Sequence, residues 1–448
     1  MKWHLIILVI LILSLAFVLG LNKINDYDIW WHLKCGELIV REGWFPRTEI
    51  FSYTVNGAPW IDGYIPAQVL LYLLWRAAGT AGICLLGAIL VAGMYGLAIA
   101  ISRRNGAGFG AAIAVSLPAI FLARGTMIPR PALLTPIFAL LNLWLLDVHR
   151  VRGGRRIFWL IPLTILWTNC HPGFPLGPVI TSIYLASYQL YIIIHKLQRG
   201  RTGGDERYNR YHELRNGILL VLIGQLVATL VNPYGHRIYF SAFSLIANSQ
   251  LTKLIVEWKP LYGEPGVPVG TVPCFIVMSA IWLAAAVWAG RRTRLEHAFL
   301  FIFIMLATVY GRRNLILFGP VSIVIISWTV SEAVTGMDAS RFSGFIPTAR
   351  WYKIRKIFIR GGEVLIMAVS LFFIWFAGTN RMYFYLGVFR STGIGVLPEL
   401  YPQGAVELLK REKVVGNVFH PYHLGGYLIF ELFPRYRVFI DGRIYPYP

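Results

Sequence analysis

Residues 3–36 read WHLIILVILILSLAFVLGLNKINDYDIWWHLKCG, and the change of character inside this stretch decides how the rest of the chain is read. Between Trp3 and Leu21 there is no Asp, Glu, Lys or Arg, and a helix of that length crosses about 30 Å of hydrocarbon. Directly after it, Asn25-Asp26-Tyr27-Asp28-Ile29-Trp30-Trp31-His32-Leu33 delivers two carboxylates and a histidine to the water boundary. Ser14-Leu15-Ala16 is a small-x-small triplet of the kind cleaved in secretory signals, but apolar residues continue past it, so the run reads as an uncleaved anchor. The acids then sit at the mouth of whatever cavity the later helices enclose.

The whole chain has the same bias. Of its 448 residues, 56% are hydrophobic and 14% charged, with a mean hydropathy of +0.59. That excludes a soluble domain of ordinary composition and predicts an all-α polytopic membrane protein. A formal charge of +21 would point to nucleic acid in a soluble protein. Here Lys and Arg stand in short clusters between apolar runs, as topology signals do, and no nucleic-acid partner is expected. Cys35, Cys84, Cys170 and Cys274 lie far apart without metal-ligand spacing and are assigned no chemistry.

After a polar, aromatic stretch to Pro66, Ala67 to Ala78 reads as a short helix suited to the membrane surface. Further spans are expected at 81–101, 107–123, 132–148, 157–168, 174–194, 217–231, 272–289, 295–310, 315–330 and 364–377, giving about eleven crossings with the first. With the N-terminus cytoplasmic, the inner loops hold Arg103-Arg104, Arg150 to Arg156, Lys196 to Arg215, Arg291 to Arg294 and Arg341 to Arg360, as the positive-inside rule requires. The outer segments are 22–80, 232–271 and the tail, so residues 1–378 form the membrane domain in the cytoplasmic (inner) membrane and 379–448 lie extracytoplasmic. In the tail, Gly404 to Glu412 and His423 to Leu432 read as helices, and Gly416 to Phe419 and Arg437 to Asp441 as strands. They make the start of a small α/β unit with too few elements to bury its own core. It either continues beyond Pro448 or packs on the membrane part.

One expected span is short. Ile157 to Thr168 reaches only about 18 Å at 1.5 Å per residue, and it breaks at Thr168-Asn169-Cys170-His171-Pro172-Gly173. Polar, proline-broken backbone at membrane depth needs protein or a water-filled cavity around it, so a cavity open to the outer face is expected, with His171 near it. Asp26 and Asp28 stand two apart, and in an extended segment both side chains face one way. They can then share a divalent metal, or one can act as general base while the other holds the cation. The plainer alternative is an N-cap, worth about 1 kcal/mol; His32, one turn past Asp28, favours chemistry.

Glu49 and Asp62 are reserve acids in the same loop, whose aromatics suit either an interface belt or stacking on sugar rings. Arg124 and Arg130 flank an outer turn, and Arg312-Arg313-Asn314 interrupts an apolar region on the outer side, against the positive-inside pattern. Arginines there need anions. A phosphate or pyrophosphate headgroup, which guanidinium binds bidentately, would serve, as would an acid such as Glu257. Asn232-Pro233-Tyr234-Gly235 reads as a turn.

These strings also carry a resemblance. Asp26-Tyr27-Asp28-Ile29-Trp30-Trp31-His32-Leu33-Lys34-Cys35-Gly36, Pro46 to Thr54, Leu166 to Gly173, Val231 to Gly235, Glu257-Trp258, Arg312-Arg313-Asn314, and Gly425-Gly426-Tyr427 through Phe439-Ile440-Asp441-Gly442-Arg443 resemble a bacterial family of multi-spanning proteins. That family is itself similar to the GT-C type membrane glycosyltransferases, the group of the protein mannosyltransferases and the lipid A aminoarabinose transferase. The resemblance spans nearly the whole chain. It implies a first outer loop carrying the catalytic acid, here Asp26 or Asp28, a polyprenyl-phosphate sugar as donor, and a divalent metal (Mg or Mn) on the same acids. Tyr27 stands where the family has proline, and Pro172 where it has glycine, which bears on loop geometry and not on class.

The expectation is inverting glycosyl transfer. One of Asp26 and Asp28 deprotonates the hydroxyl of a glycan, lipid or protein acceptor, the other orients the donor, and Arg312 and Arg313 neutralise the leaving polyprenyl phosphate. Two other classes compete. A lipid-linked-sugar flippase would show repeat symmetry; a non-catalytic envelope assembly protein would tolerate Asp28→Asn together with Arg312→Ala.

Overall fold

The opening apolar run becomes α1 (Trp3–Gly20), about 27 Å long at 1.5 Å per residue. Beyond it the chain turns into α2 (Ile29–Glu42), which stops at Gly43, where a φ of 72° lets the Gly43 N–H bond back to the Ile39 carbonyl. The structure, a computed structural model, describes residues 3–199, 206–247, 255–263, 266–335, 348–412, 414–443 and 447. Parts of the basic loops 196–215 and 341–360, of the expected outer loop 232–271 and of the tail end lie outside the described residues.

α3 (Ile65–Arg104) joins the expected surface helix to the expected second span. The two meet at Gly79, whose φ of 56° and ψ of −140° are open only to glycine. The reversal is tight: a Cβ at Gly82 would lie 2.5 Å from the Leu74 carbonyl oxygen. There follow α4 (Phe109–Ala123), α5 (Leu134–Arg152), α6 (Leu160–Cys170), α7 (Leu176–Arg199), α8 (Glu206–Ala228) and α9 (Ile238–Ala247). Then come α10 (Thr271–Ala289), α11 (Leu295–Tyr310), α12 (Leu315–Thr335), α13 (Thr348–Gly378) and α14 (Arg381–Leu386), and in the tail α15 (Gln403–Glu412) and α16 (Gly425–Leu432).

Among the described residues, eight helical stretches are long and apolar enough to cross a membrane. The protein is therefore an all-α polytopic membrane protein. The other three expected spans are also helical, but α6 has 11 residues and α11 has 16, while α8 spends its first turns on Glu206, Arg207, Arg210 and Glu213. Of the apolar window in 312–335, 83% is buried, against 11% for 359–378. α12 is thus the axis of the bundle, apolar on every side as a fully enclosed helix must be, and α13 lies at its rim. The axis packs closely: a Cβ at Gly319 would sit 3.0 Å from both the Ala119 carbonyl and the Tyr95 hydroxyl.

At one end of the bundle, where α5 finishes and α11 starts, a buried polar lock holds the helices. Tyr211 donates to both carboxylate oxygens of Glu296 (3.1 Å each), Tyr184 donates to Asp147 (3.0 Å), and Arg150 reaches both acids at 3.7 and 3.9 Å. The other end, roughly 25 Å away along α5, gathers the first loop, the 124–133 turn, His171, the Glu257 segment and the 311–314 turn.

The tail corrects the sequence expectation. Both of its helices form, but among the described residues neither expected strand does; Val418 and Val438 share a single parallel bridge, and Val438 shares another with Ser52. The Val438 N–H donates to the Phe51 carbonyl (2.9 Å) and accepts from the Tyr53 N–H through its own carbonyl (3.1 Å), so the first loop takes the edge that a tail sheet would need. α16 packs on α2 around Trp30, Trp31, Tyr427 and Leu428. A short segment that cannot close its own core finds one on the loop bearing Asp26 and Asp28.

Candidate active site

Two sets of contacts to backbone carbonyls bring the charged residues together. Asn22 Nδ2 donates to the carbonyls of Leu19 (2.7 Å) and Met127 (3.2 Å), which lays the 127–130 segment beside the end of α1. Arg130, extended at φ −147° just before α5, thereby faces Asp26, with Nη1 at 4.0 Å from Oδ1. On the far side, the Arg312 N–H donates to the Lys259 carbonyl (3.1 Å) and Arg312 Nε to the Pro260 carbonyl (2.9 Å), which docks the Glu257-Trp258 turn on the 311–314 turn. Glu257 then accepts a hydrogen bond from Arg130, and the Arg313 guanidinium stacks over Trp258 at 4.2 Å. Asp26, Asp28, Arg130, Glu257 and Arg313, up to 287 positions apart in the sequence numbering, form one electrostatic cluster.

The two acids differ in their bonds. Asp26 Oδ1 accepts from the Asp28 N–H (3.2 Å), and its Oδ2 is buried without a partner. Asp28 does occupy the N-cap position of α2, yet its carboxylate makes no capping bond. The capping alternative therefore does not account for this side chain. Burial, and after it the charge of Asp26, pushes the Asp28 carboxyl up to about 8; burial also raises Asp26, against the opposing pull of Arg130. Burial raises Glu257 as well, but the charge and hydrogen bond of Arg130 outweigh it and hold this carboxyl below its ordinary value. An acid whose proton equilibrium lies near neutrality is suited to take a proton in a reaction.

A polar wall backs the cluster. Tyr64 stands between two imidazoles, with ring centroids 4.7 Å from His32 and 5.7 Å from His171. His171 Nδ1 accepts from the Gly173 N–H (2.9 Å) and lies 2.8 Å from the Thr135 hydroxyl, which leaves the proton on Nε2. Burial and the charges of Arg313 and Arg130 bring His171 down to about 3, so it is neutral. His32 is neutral for the same first reason, and its Nδ1 lies 3.4 Å from the amide of Gln68, which also donates to both oxygens of Asp62 (3.1 and 2.9 Å). Burial pushes Asp62 up to about 6, against that bond.

Several expected residues stand elsewhere. Glu49 is not in the cluster: its Oε1 accepts from the N–H groups of Phe51 (2.7 Å) and Ser52 (2.6 Å), and its Oε2 pairs with Arg443 Nη1 at 2.6 Å. Asn314 donates to the Ala307 carbonyl (2.7 Å) and closes the end of α11. Of the adjacent arginines, Arg313 acts on Glu257, whereas the bonds of Arg312 hold the neighbouring turn. Arg124 braces its own turn through the carbonyls of Phe121 and Val269.

Residues without a sequence signal also contribute. Tyr64 fell in the polar, aromatic stretch before Pro66 and Gln68 in the expected surface helix of Ala67 to Ala78, and neither was singled out. From the tail, Arg390 donates to the Gly125 carbonyl (3.1 Å) and braces the turn leading to Arg130. Among the described residues no group of three or more His, Cys, Asp or Glu is arranged to hold a metal. The cation that faces Asp26 is the Arg130 guanidinium, while Asp26 Oδ2 is buried without a partner. Neither a scan against protein-family models nor a search of curated proteins finds a significant match for the chain.

Proposed function

We propose that this protein is a GT-C-like membrane glycosyltransferase that moves a sugar from a polyprenyl-phosphate donor to an acceptor hydroxyl at the outer face of the cytoplasmic membrane. The observation that carries the reading is that a poised carboxyl, Asp28, shares one end of a membrane bundle with the guanidinium of Arg130, which acts on it directly, and with that of Arg313, joined to the same cluster through Glu257. The motif resemblance supports the same class. In the proposed reaction, Asp28 takes the proton of the acceptor hydroxyl and the freed oxygen bonds to the anomeric carbon. The bond from that carbon to the phosphate oxygen breaks, and its electron pair leaves with the polyprenyl phosphate. The added negative charge falls where Arg313 and Arg130 stand, and a cation placed at developing charge typically supplies about 3 kcal/mol. Asp26 holds Arg130 in place. No step runs through a metal.

The connections at the opposite end carry Arg103, Arg104, Arg155, Arg156, Arg291 and Arg292, which supports a cytoplasmic placement of that end. The proposed topology has eleven crossings, a cytoplasmic N-terminus and an extracytoplasmic tail. The test uses purified protein in nanodiscs with a panel of radiolabelled polyprenyl-phosphate sugars and a mixture of glycan, lipid and peptide acceptors, each with and without chelator. Transfer of label to an acceptor is expected, and the chelator arm reads whether a divalent metal takes part. Movement of the intact donor between leaflets without transfer would favour a flippase, and no turnover of any donor would remove the enzyme reading.

A further inference from the structure

The Asp28 carboxylate lies against the tail. A Cβ built on Gly442 would come 2.1 Å from Asp28 Oδ1 and 3.2 Å from its Cγ. Gly442 is not among the glycines with positive φ, so the backbone there would accept other residues; space beside Asp28 is what asks for glycine. Gly425 and Gly426 extend the same fit, since a Cβ at the first would lie 2.2 Å from the Ile440 carbonyl and at the second 2.4 Å from the Tyr27 carbonyl. These close approaches seat the 440–443 turn against the Asp28 side chain and on the start of α16, and α16 on the Tyr27 carbonyl.

The turn is also clamped. Asp441 accepts from the N–H (3.0 Å), Nε (2.8 Å) and Nη2 (2.6 Å) of Arg443 and from the Tyr447 hydroxyl (2.6 Å). Arg443 pairs in turn with Glu49 at 2.6 Å and lies over the rings of Phe51 and Trp60 at 4.8 and 4.6 Å. Both ends of this buried chain are fixed, one on the first loop and one on the tail. Gly442, between the two clamped residues, has little freedom to yield.

We propose that Gly442 is a positioning residue for the reacting acid: the tail turn, locked by Asp441, Arg443 and Glu49, sets where the Asp28 carboxylate stands. This rests on the reading of Asp28 as the proton acceptor, and it makes the tail a wall of the active site and not a separate appendage. The Glu49 that the sequence offered as a reserve acid gains its purpose here, as the anchor of that wall.

The test is Gly442→Ala in the full-length protein, beside Gly404→Ala, where nothing lies within 4 Å of the added methyl. To restore an ordinary contact the carboxylate must move by roughly 1 Å, a displacement that costs on the order of 100-fold in rate. The expected result is a kcat lowered to that extent with donor KM unchanged, while Gly404→Ala keeps both values. A second readout needs no turnover. Labelling of Asp28 by dicyclohexylcarbodiimide, mapped by mass spectrometry, should change at least several-fold in Gly442→Ala only.

Should Gly442→Ala fold poorly, the double variant Asp28→Ala/Gly442→Ala decides the matter, because removing the carboxylate removes the clash and should restore the thermal midpoint of Asp28→Ala alone. Strictly additive midpoints, or wild-type kcat and labelling in Gly442→Ala, would overturn the proposal. Loss of transfer in Asp28→Asn together with unaffected Gly442→Ala removes the positioning role and leaves the transferase reading intact. Transfer that persists in Asp28→Asn removes that reading instead, and the labelling and midpoint results still judge the contact.

Discussion

Replacing Arg130 by glutamine removes the cation that faces Asp26 at 4.0 Å. At that separation, and with an effective dielectric of about 20, the lost attraction is about 4 kcal/mol. One pKa unit corresponds to about 1.4 kcal/mol, so the ionised-to-protonated ratio of Asp26 should fall by close to a thousandfold. Arg130 also lowers the proton affinity of Asp28, whose carboxyl already stands at about 8. The sign follows: without the guanidinium both acids hold protons to higher pH, the base form of Asp28 becomes scarcer at neutrality, and activity returns only on the alkaline side. The assay is the pH profile of sugar transfer from a labelled polyprenyl-phosphate donor in nanodiscs between pH 5 and 10 (assay conditions of about that range suit a group near neutrality). Arg130→Gln should show an activity midpoint moved to higher pH, and Arg130→Lys, which keeps the charge, should stay near wild type. An unmoved midpoint in a well-folded Arg130→Gln protein would show that this arginine does not govern the acid pair.

Three further outcomes are expected. Arg313→Gln should lower kcat by about 100-fold or more, as loss of a donor at developing charge does, with transfer measured at saturating donor. Arg312→Gln should instead lower the thermal midpoint and the yield of folded protein in detergent, with specific activity retained by the folded fraction, because its bonds dock the Glu257 turn. Asp147→Ala, at the opposite end of the bundle, leaves Arg150 short of a buried partner. It should cost about 3–5 kcal/mol, read as a lowered thermal midpoint, again without loss of specific activity.

Much of this molecule was legible in the chain. Uninterrupted apolar runs dictate helices because lipid offers no partner for backbone N–H and C=O groups, so all eleven expected spans fell on helices even where their lengths differ. The acids of the first loop and the cationic break after α11 were visible as charges at membrane boundaries, where a charge needs a reason. Which arginine acts on Glu257 was not. Arg312 and Arg313 are neighbours in the sequence, and only the bonds of Arg312 to the Lys259 and Pro260 segment turn Arg313 toward Glu257.

The tail was misread for a related reason. Short apolar runs at 416–419 and 437–441 suggested strands, but a strand needs a partner of sufficient length, and the available edge belonged to Phe51 and Tyr53. Glu49 illustrates the same limit. A carboxylate in a catalytic-looking loop carries no mark of its partner, and Arg443 lies almost the whole chain away. Tyr64, Gln68 and Gly442 act through shape and hydrogen bonding across elements that composition and periodicity do not relate.

The most direct measurement is transfer of labelled sugar by the purified Asp26→Ala/Asp28→Ala protein, compared with wild type at equal amounts of folded protein. Wild type should form glycosylated acceptor and release polyprenyl phosphate, and the double variant should form neither while keeping its monodisperse profile and thermal midpoint. Product formed by the double variant at the wild-type rate would contradict the assignment of chemistry to this cluster.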